Sequence, residues 1–312
     1  MPTRASYPSC PRTRFLRAGA PALVLLLTLA GCGGGAVDLP APAADGAAGG
    51  DAADAPAYVP TAAGAPSTDI YLATLSGGGT DLALGGVANV TDRDGYDNQP
   101  AFLPDGSGVL YTGGYDGLQT DVYRYDIEAG ASTRVTDTSS SEFSPTPTPD
   151  GGFATIHEDA GVQLLRQFDL DGADRGELLP TVQPVGYQAW GDADTVAMFV
   201  LGDPPTLQLG HLSTGVAEIV ASDIGRSLHK VPGLNAISFI DKSAGEVWYV
   251  RQIDLETGEI TELVQTLAGR EDMAWTPDGT ILMGDGSDLY AWRPGSNWWR
   301  VADLSGAGVQ GI

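Results

Sequence analysis

Three observations predict an all-β chain, a six-bladed β-propeller of four-stranded antiparallel blades. First, the turn tripeptide Pro104-Asp105-Gly106 recurs as Pro149-Asp150-Gly151 and as Pro277-Asp278-Gly279. The first interval is 45 residues and the second 128, which accommodates three further repeats of roughly 43. Second, degenerate copies, Gly191-Asp192 and Pro232-Gly233, fall at the intervening steps. Third, strand-like runs flank every turn and no stretch carries a helical signal. Proline presets φ for such a turn and glycine supplies the positive φ that closes it. Four-stranded units at a period of about 40–45 residues are the blades of a propeller.

Taken along the chain, each tripeptide leads into an apolar run, Val109-Leu110-Tyr111-Thr112 after the first and Thr280-Ile281-Leu282-Met283 after the last. A second hairpin then follows. Asp121-Val122-Tyr123-Arg124-Tyr125-Asp126 turns into Thr133-Arg134-Val135-Thr136, and the equivalents are 163–179, 206–221, 247–264 and 288–302. The clearest pairs Ile253-Asp254-Leu255 with Glu259–Val264 through Thr257-Gly258. Ahead of the first tripeptide, 69–74 and 87–91 form one more outer hairpin with no inner one before it. The count is six outer hairpins against five inner ones, so the last blade lacks its inner hairpin. Either the chain is shortened or that blade is open on its channel side; the cost of unpaired backbone favours a shortened chain.

The N-terminal region reads differently. Arg4, Arg12, Arg14 and Arg17 precede an apolar run from Ala18 to Leu29. This is the layout of a secretory signal, too short for a permanent span. Leu29-Ala30-Gly31-Cys32 resembles the bacterial lipobox. The resemblance implies cleavage before Cys32 and lipid on that residue, and Gly33 in place of aspartate implies an outer-membrane destination. Residues 33–66 are almost entirely Ala, Gly, Pro and Asp, without Lys or Arg, and read as a disordered tether with a reach of roughly 30 Å. The division is therefore 1–31 signal, 32–66 lipidated cysteine and tether, 67–312 propeller.

Composition narrows the function. The two cysteines are Cys10, in the signal, and Cys32, so the mature chain has no thiol pair for a disulfide or a thiolate metal site. Without the four leader arginines, 12 basic residues face 40 acidic ones, a net charge of −28. Such a surface repels nucleic acid and anionic glycans. No cofactor is implied, and a monomer is expected.

"NQPAFLPDG" (98–106), "FSPTPTPDG" (143–151) and "MAWTPDG" (273–279), each followed by a "DVYRYD"-type strand, resemble the repeat of TolB-like six-bladed propellers. The resemblance covers 69–312. It implies that the first outer hairpin is completed by inner strands from the C-terminus, yet only Gly308–Ile312 follow Ala307. It also implies contacts with other envelope proteins, including peptidoglycan-associated lipoprotein. TolB itself carries an α/β domain before its propeller, and this chain offers only a tether there.

Enzyme signatures are sparse: there is no G-x-S-x-G elbow and no phosphate-cradling glycine loop. Of the histidines, His229 is placed at the start of an inner strand, His157 after a second strand and His211 on a third, too scattered for one metal ion. Asp92–Asp97 carries carboxylates suited to calcium but lacks the EF-hand spacing. Alignment on Phe102, Trp190 and Trp275, read as packing residues, puts Asp97, Asn98, Gln99, Glu142, Tyr187, Gln188, Ser227, His229, Glu271 and Asp272 around one mouth of the channel. These are the candidate ligand- or partner-binding residues. The expected function is a non-catalytic envelope scaffold that holds a protein or small ligand there. The alternative is a lyase or hydrolase acting on a sugar or lactone, with two mouth carboxylates as acid and base.

Overall fold

In the computed structural model, residues 23–30, 67–114 and 119–312 are described, the first of these through backbone pairing alone. Cys32, the leader arginines and the 33–66 segment lie outside the described residues. A strand β1 (Leu23–Ala30) is followed by a hairpin of β2 (Thr68–Ser76) and β3 (Ala83–Asn89). Five four-stranded antiparallel units come next, each in simple sequence order. Blade 1 is β4 (Tyr96–Phe102), β5 (Gly108–Gly114), β6 (Asp121–Asp126) and β7 (Ala131–Arg134). Blade 2 comprises β8 (Ser141–Pro147), β9 (Phe153–Asp159), β10 (Val162–Phe168) and β11 (Asp174–Leu178). In blade 3 are β12 (Val185–Trp190), β13 (Thr195–Val200), β14 (Thr206–His211) and β15 (Val216–Ser222). Blade 4 has β16 (Ile224–Lys230), β17 (Ala236–Asp241), β18 (Tyr249–Asp254) and β19 (Ile260–Gln265). Blade 5 has β20 (Met273–Trp275), β21 (Ile281–Asp285), β22 (Asp288–Trp292) and β23 (Trp299–Asp303).

Burial explains the sequence pattern of each blade. Second strands lie between neighbouring blades, so β5, β13 and β17 are buried at every residue and read as continuous apolar runs. Fourth strands face solvent, and β7 is exposed throughout. Between these extremes β10 alternates, the period-2 signature of a half-buried strand. The blades meet through apolar layers. Leu103, Leu110 and Val122 of blade 1 pack on Phe153 and Phe168 of blade 2. Ala197, Phe199 and Leu207 of blade 3 meet Leu228, Ile237 and Phe239 of blade 4. Each such side chain contributes roughly 1.5–3 kcal/mol on burial.

The predicted turns recur as one hydrogen bond. Leu103, Thr148 and Thr276 N–H groups donate to Gly108, Gly152 and Thr280 carbonyls, and the degenerate copies repeat it as Gly191 to Thr195 and Val231 to Ala236. Gly106, Gly151 and Gly279 sit at φ of 72°, 94° and 82°, where an L side chain is strained.

Adjacent blades are also tied by buried polar clasps. Thr136 Oγ1 accepts the Val122 N–H at 2.8 Å and lies 3.2 Å from Glu142 Oε2, with Asp121 Oδ1 at 3.4 Å. Thr138 Oγ1 donates to Glu142 Oε1 at 2.5 Å. The Glu142 backbone is paired with Thr120: its N–H donates to the Thr120 carbonyl at 2.9 Å, and Thr120 Oγ1 donates to its carbonyl at 3.0 Å. The same device recurs one unit earlier. There Thr91 Oγ1 accepts the Ile70 N–H at 2.9 Å and donates to Asp69 Oδ1 at 3.2 Å, and the Asp97 N–H donates to Thr68 Oγ1 at 3.2 Å.

The hairpin count agrees with the sequence: among the described residues five blades have four strands, and the sixth sector holds the outer hairpin β2–β3 without an inner hairpin of its own. That hairpin packs on blade 5 through Leu75, Leu282, Leu289 and Leu304 and joins blade 1 by one parallel bridge, Thr68 to Tyr96. Part of the apolar run read as a signal, Leu23–Ala30, is paired here as β1, antiparallel to β2. Extended geometry suits its leucines and threonine as well as a helix would once a strand edge is on offer.

Thr136 is 1% exposed, so Thr136→Val strands the Val122 N–H and the Glu142 carboxylate without their shared partner. A loss of roughly 1–3 kcal/mol is expected, measured as a lower denaturant midpoint with an unchanged slope.

Candidate functional site

The inner strands β4, β8, β12, β16 and the residues leading into β20 begin at one end of the channel. Counting back from the repeated turn bond places Gln99, Ser144, Tyr187, Ser227 and Asp272 at one level of five successive blades. Irregular pairing interrupts β4, β8, β12 and β16 near this level. In blades 1 and 2 the irregularity is a left-handed residue, Gln99 at φ 54° and Ser144 at φ 50°. Strain of this kind persists only where the surroundings hold it. Here Gln99 Oε1 accepts from Thr112 Oγ1 at 3.0 Å and from the Ser144 N–H at 2.8 Å.

The candidates separate into three groups. Asp97 and Glu142 are wholly buried and belong to the clasps, so neither is open at the mouth. Glu142 also receives His157 Nδ1 at 3.2 Å. Asp97 pairs with Arg93. Burial pushes Asp97 up to about 6, against the opposing pull of Arg93. The polar side chains Asn98, Gln99 and Gln188 are engaged locally. Asn98 Oδ1 accepts the Gln99 N–H at 2.7 Å, and Gln188 Oε1 accepts Trp190 Nε1 at 3.1 Å. Ser144 Oγ and Gln188 Nε2 are buried without a hydrogen-bond partner among the described residues.

A third group converges at blades 3 to 5. Arg226 of β16 holds Asp272 through two bonds, Nε to Oδ1 at 3.0 Å and Nη2 to Oδ2 at 2.5 Å. Glu271 accepts from Lys242 Nζ at 2.7 Å and from the Arg226 N–H at 3.2 Å. Gly225 makes this approach possible, since a Cβ there would lie 2.6 Å from Glu271 Oε2. Tyr187 stands edge-on to Phe199 at 5.9 Å. Burial works against the Arg226 charge, yet Asp272 outweighs it and the guanidinium holds its proton more firmly than usual. A partly open cleft of about 120 Å³ beside Arg226, Glu271 and Asp272 is lined also by Arg270, Gly269, Gly284 and Ile312.

His229 requires correction, for it sits near the end of β16 and not at its start. Its Nε2 lies 3.1 Å from Ser227 Oγ, and burial holds its pKa below the ordinary value. His157 lies within β9, not after it. Trp190 and Trp275 are in the interblade layers as read. No group of three or more potential metal ligands occurs among the described residues. Sequence reasoning missed Arg226, Lys242 and Arg270. In a chain this poor in cations, an arginine in the inner-strand register, one place after a glycine, was the available signal.

These features define the class: an all-β propeller with a charged channel mouth. No protein-family model matches the chain, and no curated protein matches it. Solved structures do. A TolB-type protein from Agrobacterium tumefaciens superposes with a TM-score of 0.61 at 13% identity, over 72% of this chain and 86% of that one. TolB from Acinetobacter baumannii gives 0.57 at 16%, over 74% of this chain, which spans only 57% of that protein. An oligogalacturonate lyase in complex with manganese gives 0.54 at 17%, over 76% and 71%. At such identities the likeness is one of fold alone, the β-propeller, and that fold hosts binding proteins and enzymes alike.

Because Asp97 ionises less readily in the folded than in the unfolded chain, it stabilises most below its ordinary value of 3.8. That contribution is lost as pH rises through about 6. Asp97→Asn removes this dependence. The stability of the variant relative to the parent should therefore rise between pH 4 and pH 7, read from denaturant midpoints across that range.

Proposed function

We propose that the chain is a non-catalytic binding protein of the bacterial envelope. Lipid on Cys32 would hold it at the outer membrane facing the periplasm, and it would grip a protein or small ligand at the channel mouth. The observation that carries this reading is the state of the mouth carboxylates. Acid–base chemistry on a sugar or lactone needs two carboxyls whose environments set them apart. Here Glu142 and Asp97 are built into the blade junctions, while Asp272 and Glu271 are each neutralised by a cation. What is left is a recognition surface. Arg226 and Asp272 are half exposed and offer both signs of charge beside the Tyr187 ring, on a strongly acidic body that favours basic or neutral partner segments.

The lipid anchor supplies the address and the tether supplies the search volume, so the mouth samples the nearby envelope without free diffusion. Such a partner should associate more slowly as salt rises.

Two outcomes are expected. Cys32→Ser should move the protein from the membrane to the soluble envelope fraction, checked by fractionation and by the mass of the N-terminal peptide. A photo-crosslinker at Tyr187 should capture one dominant partner in the native envelope, and Arg226→Ala should cut that capture at least tenfold while leaving the melting temperature nearly unchanged. Turnover of a sugar or lactone by the purified protein, abolished by Asp272→Asn, would favour the enzymatic reading instead.

A further inference from the structure

In blades 1 to 5 the third strand is covered on its inner side by a second strand through five or six consecutive residue pairs or more. β2 occupies the third-strand position of the sixth sector, because the clasp residues Thr68, Asp69 and Thr91 match Thr120, Asp121 and Thr136. Its backbone pairing with blade 1 is one bridge, Thr68 to Tyr96, beside the Asp97–Thr68 clasp bond. What covers its inner edge is β1, in unbroken antiparallel register over eight pairs from Leu23–Leu75 to Ala30–Thr68. The segment LVLLLTLA is uncharged and strongly apolar. It belongs to the region that the proposed processing at Cys32 removes.

We propose that the inner edge of β2 is a strand-acceptor site. In the processed protein it takes an uncharged, apolar, extended segment of about eight residues from a partner protein, antiparallel to β2 in the register now held by β1. The inference deepens the binding function and rests on the removal of the leader. Three observations favour such an occupant. The edge presents unpaired backbone groups whenever β1 leaves, and an added strand satisfies them. Leu75 of β2, with Tyr71 packed beside it, belongs to the apolar layer shared with blade 5, which holds the acceptor strand in place. The acidic body disfavours an acidic strand. Direction adds a consequence: Thr68 lies at the mouth end, beside Tyr96, so the docked strand ends there. Residues after it would emerge at the mouth that carries Arg226 and Asp272.

The test uses the processed chain, residues 32–312 with Cys32→Ser, which then has no cysteine. Thr74 is exposed, so Thr74→Cys leaves the fold intact, and it pairs with Val24. A peptide of residues 22–31 with Val24→Cys should form a disulfide with this protein. Peptides carrying the cysteine at position 27 or 29 should not. Unsubstituted peptide at about a hundredfold excess over its Kd should raise the melting temperature of the parent by roughly 5 °C, and Leu26→Pro in the peptide should remove the effect. No disulfide at any position together with an unchanged transition overturns the proposal. The mass of the envelope-extracted protein tests the underlying reading separately. If the leader is retained, the processed-lipoprotein reading fails, and a disulfide between Val24→Cys and Thr74→Cys in the full chain carrying Cys10→Ser and Cys32→Ser still reports whether β2 accepts a strand.

Discussion

The contact on which the architecture depends is the buried clasp between a threonine hydroxyl and the carboxylate that opens the next blade. Apolar layers between blades can slide; side chains of similar volume fill the same space in neighbouring registers. A carboxylate with two hydroxyl partners and a paired backbone cannot slide without leaving a charge unsatisfied in the interior, a penalty of several kcal/mol. Glu142, held by Thr136, Thr138 and His157, therefore fixes blade 2 against blade 1. With that junction set, the starting point of β8, and so the height of Ser144 in the channel, is also set. The mouth is placed by chemistry that lies behind it.

The blade repeat was legible because it is written in turn chemistry. Pro-Asp-Gly needs no tertiary context to bend a chain, so its spacing survives in sequence even where two copies have decayed to Gly191-Asp192 and Pro232-Gly233. The clasps were not legible. Thr91 follows Asp69 by 22 residues and Thr136 follows Asp121 by 15, since the intervening hairpins differ in length, and a fixed-period search passes over them. Burial of Asp97 and Glu142 was hidden for a related reason. An acidic residue at the start of an inner strand has the same one-letter appearance whether it faces water or a threonine.

β1 was hidden by a different ambiguity. Apolar eight-residue runs fit a signal, a core strand or the edge of a sheet equally well, and only the presence of an unfilled edge decides. The histidine error has a simpler origin. His229 reads as the start of an inner strand, but β16 begins at Ile224 and its pairing is irregular between Ile224 and Leu228, which puts the imidazole near the strand's end. Irregularities in strand pairing are where counting arguments lose their footing.

The joint between blade 5 and the hairpin β2–β3 is apolar, like the layers between the other blades. It consists of leucines and Val309 packed side to side, while the joint between β2 and blade 1 rests on a clasp and one bridge. The disc is thus mechanically a split washer. With one backbone bridge between β2 and blade 1 against five or more pairs between second and third strands within each blade, local opening is expected to begin at that joint.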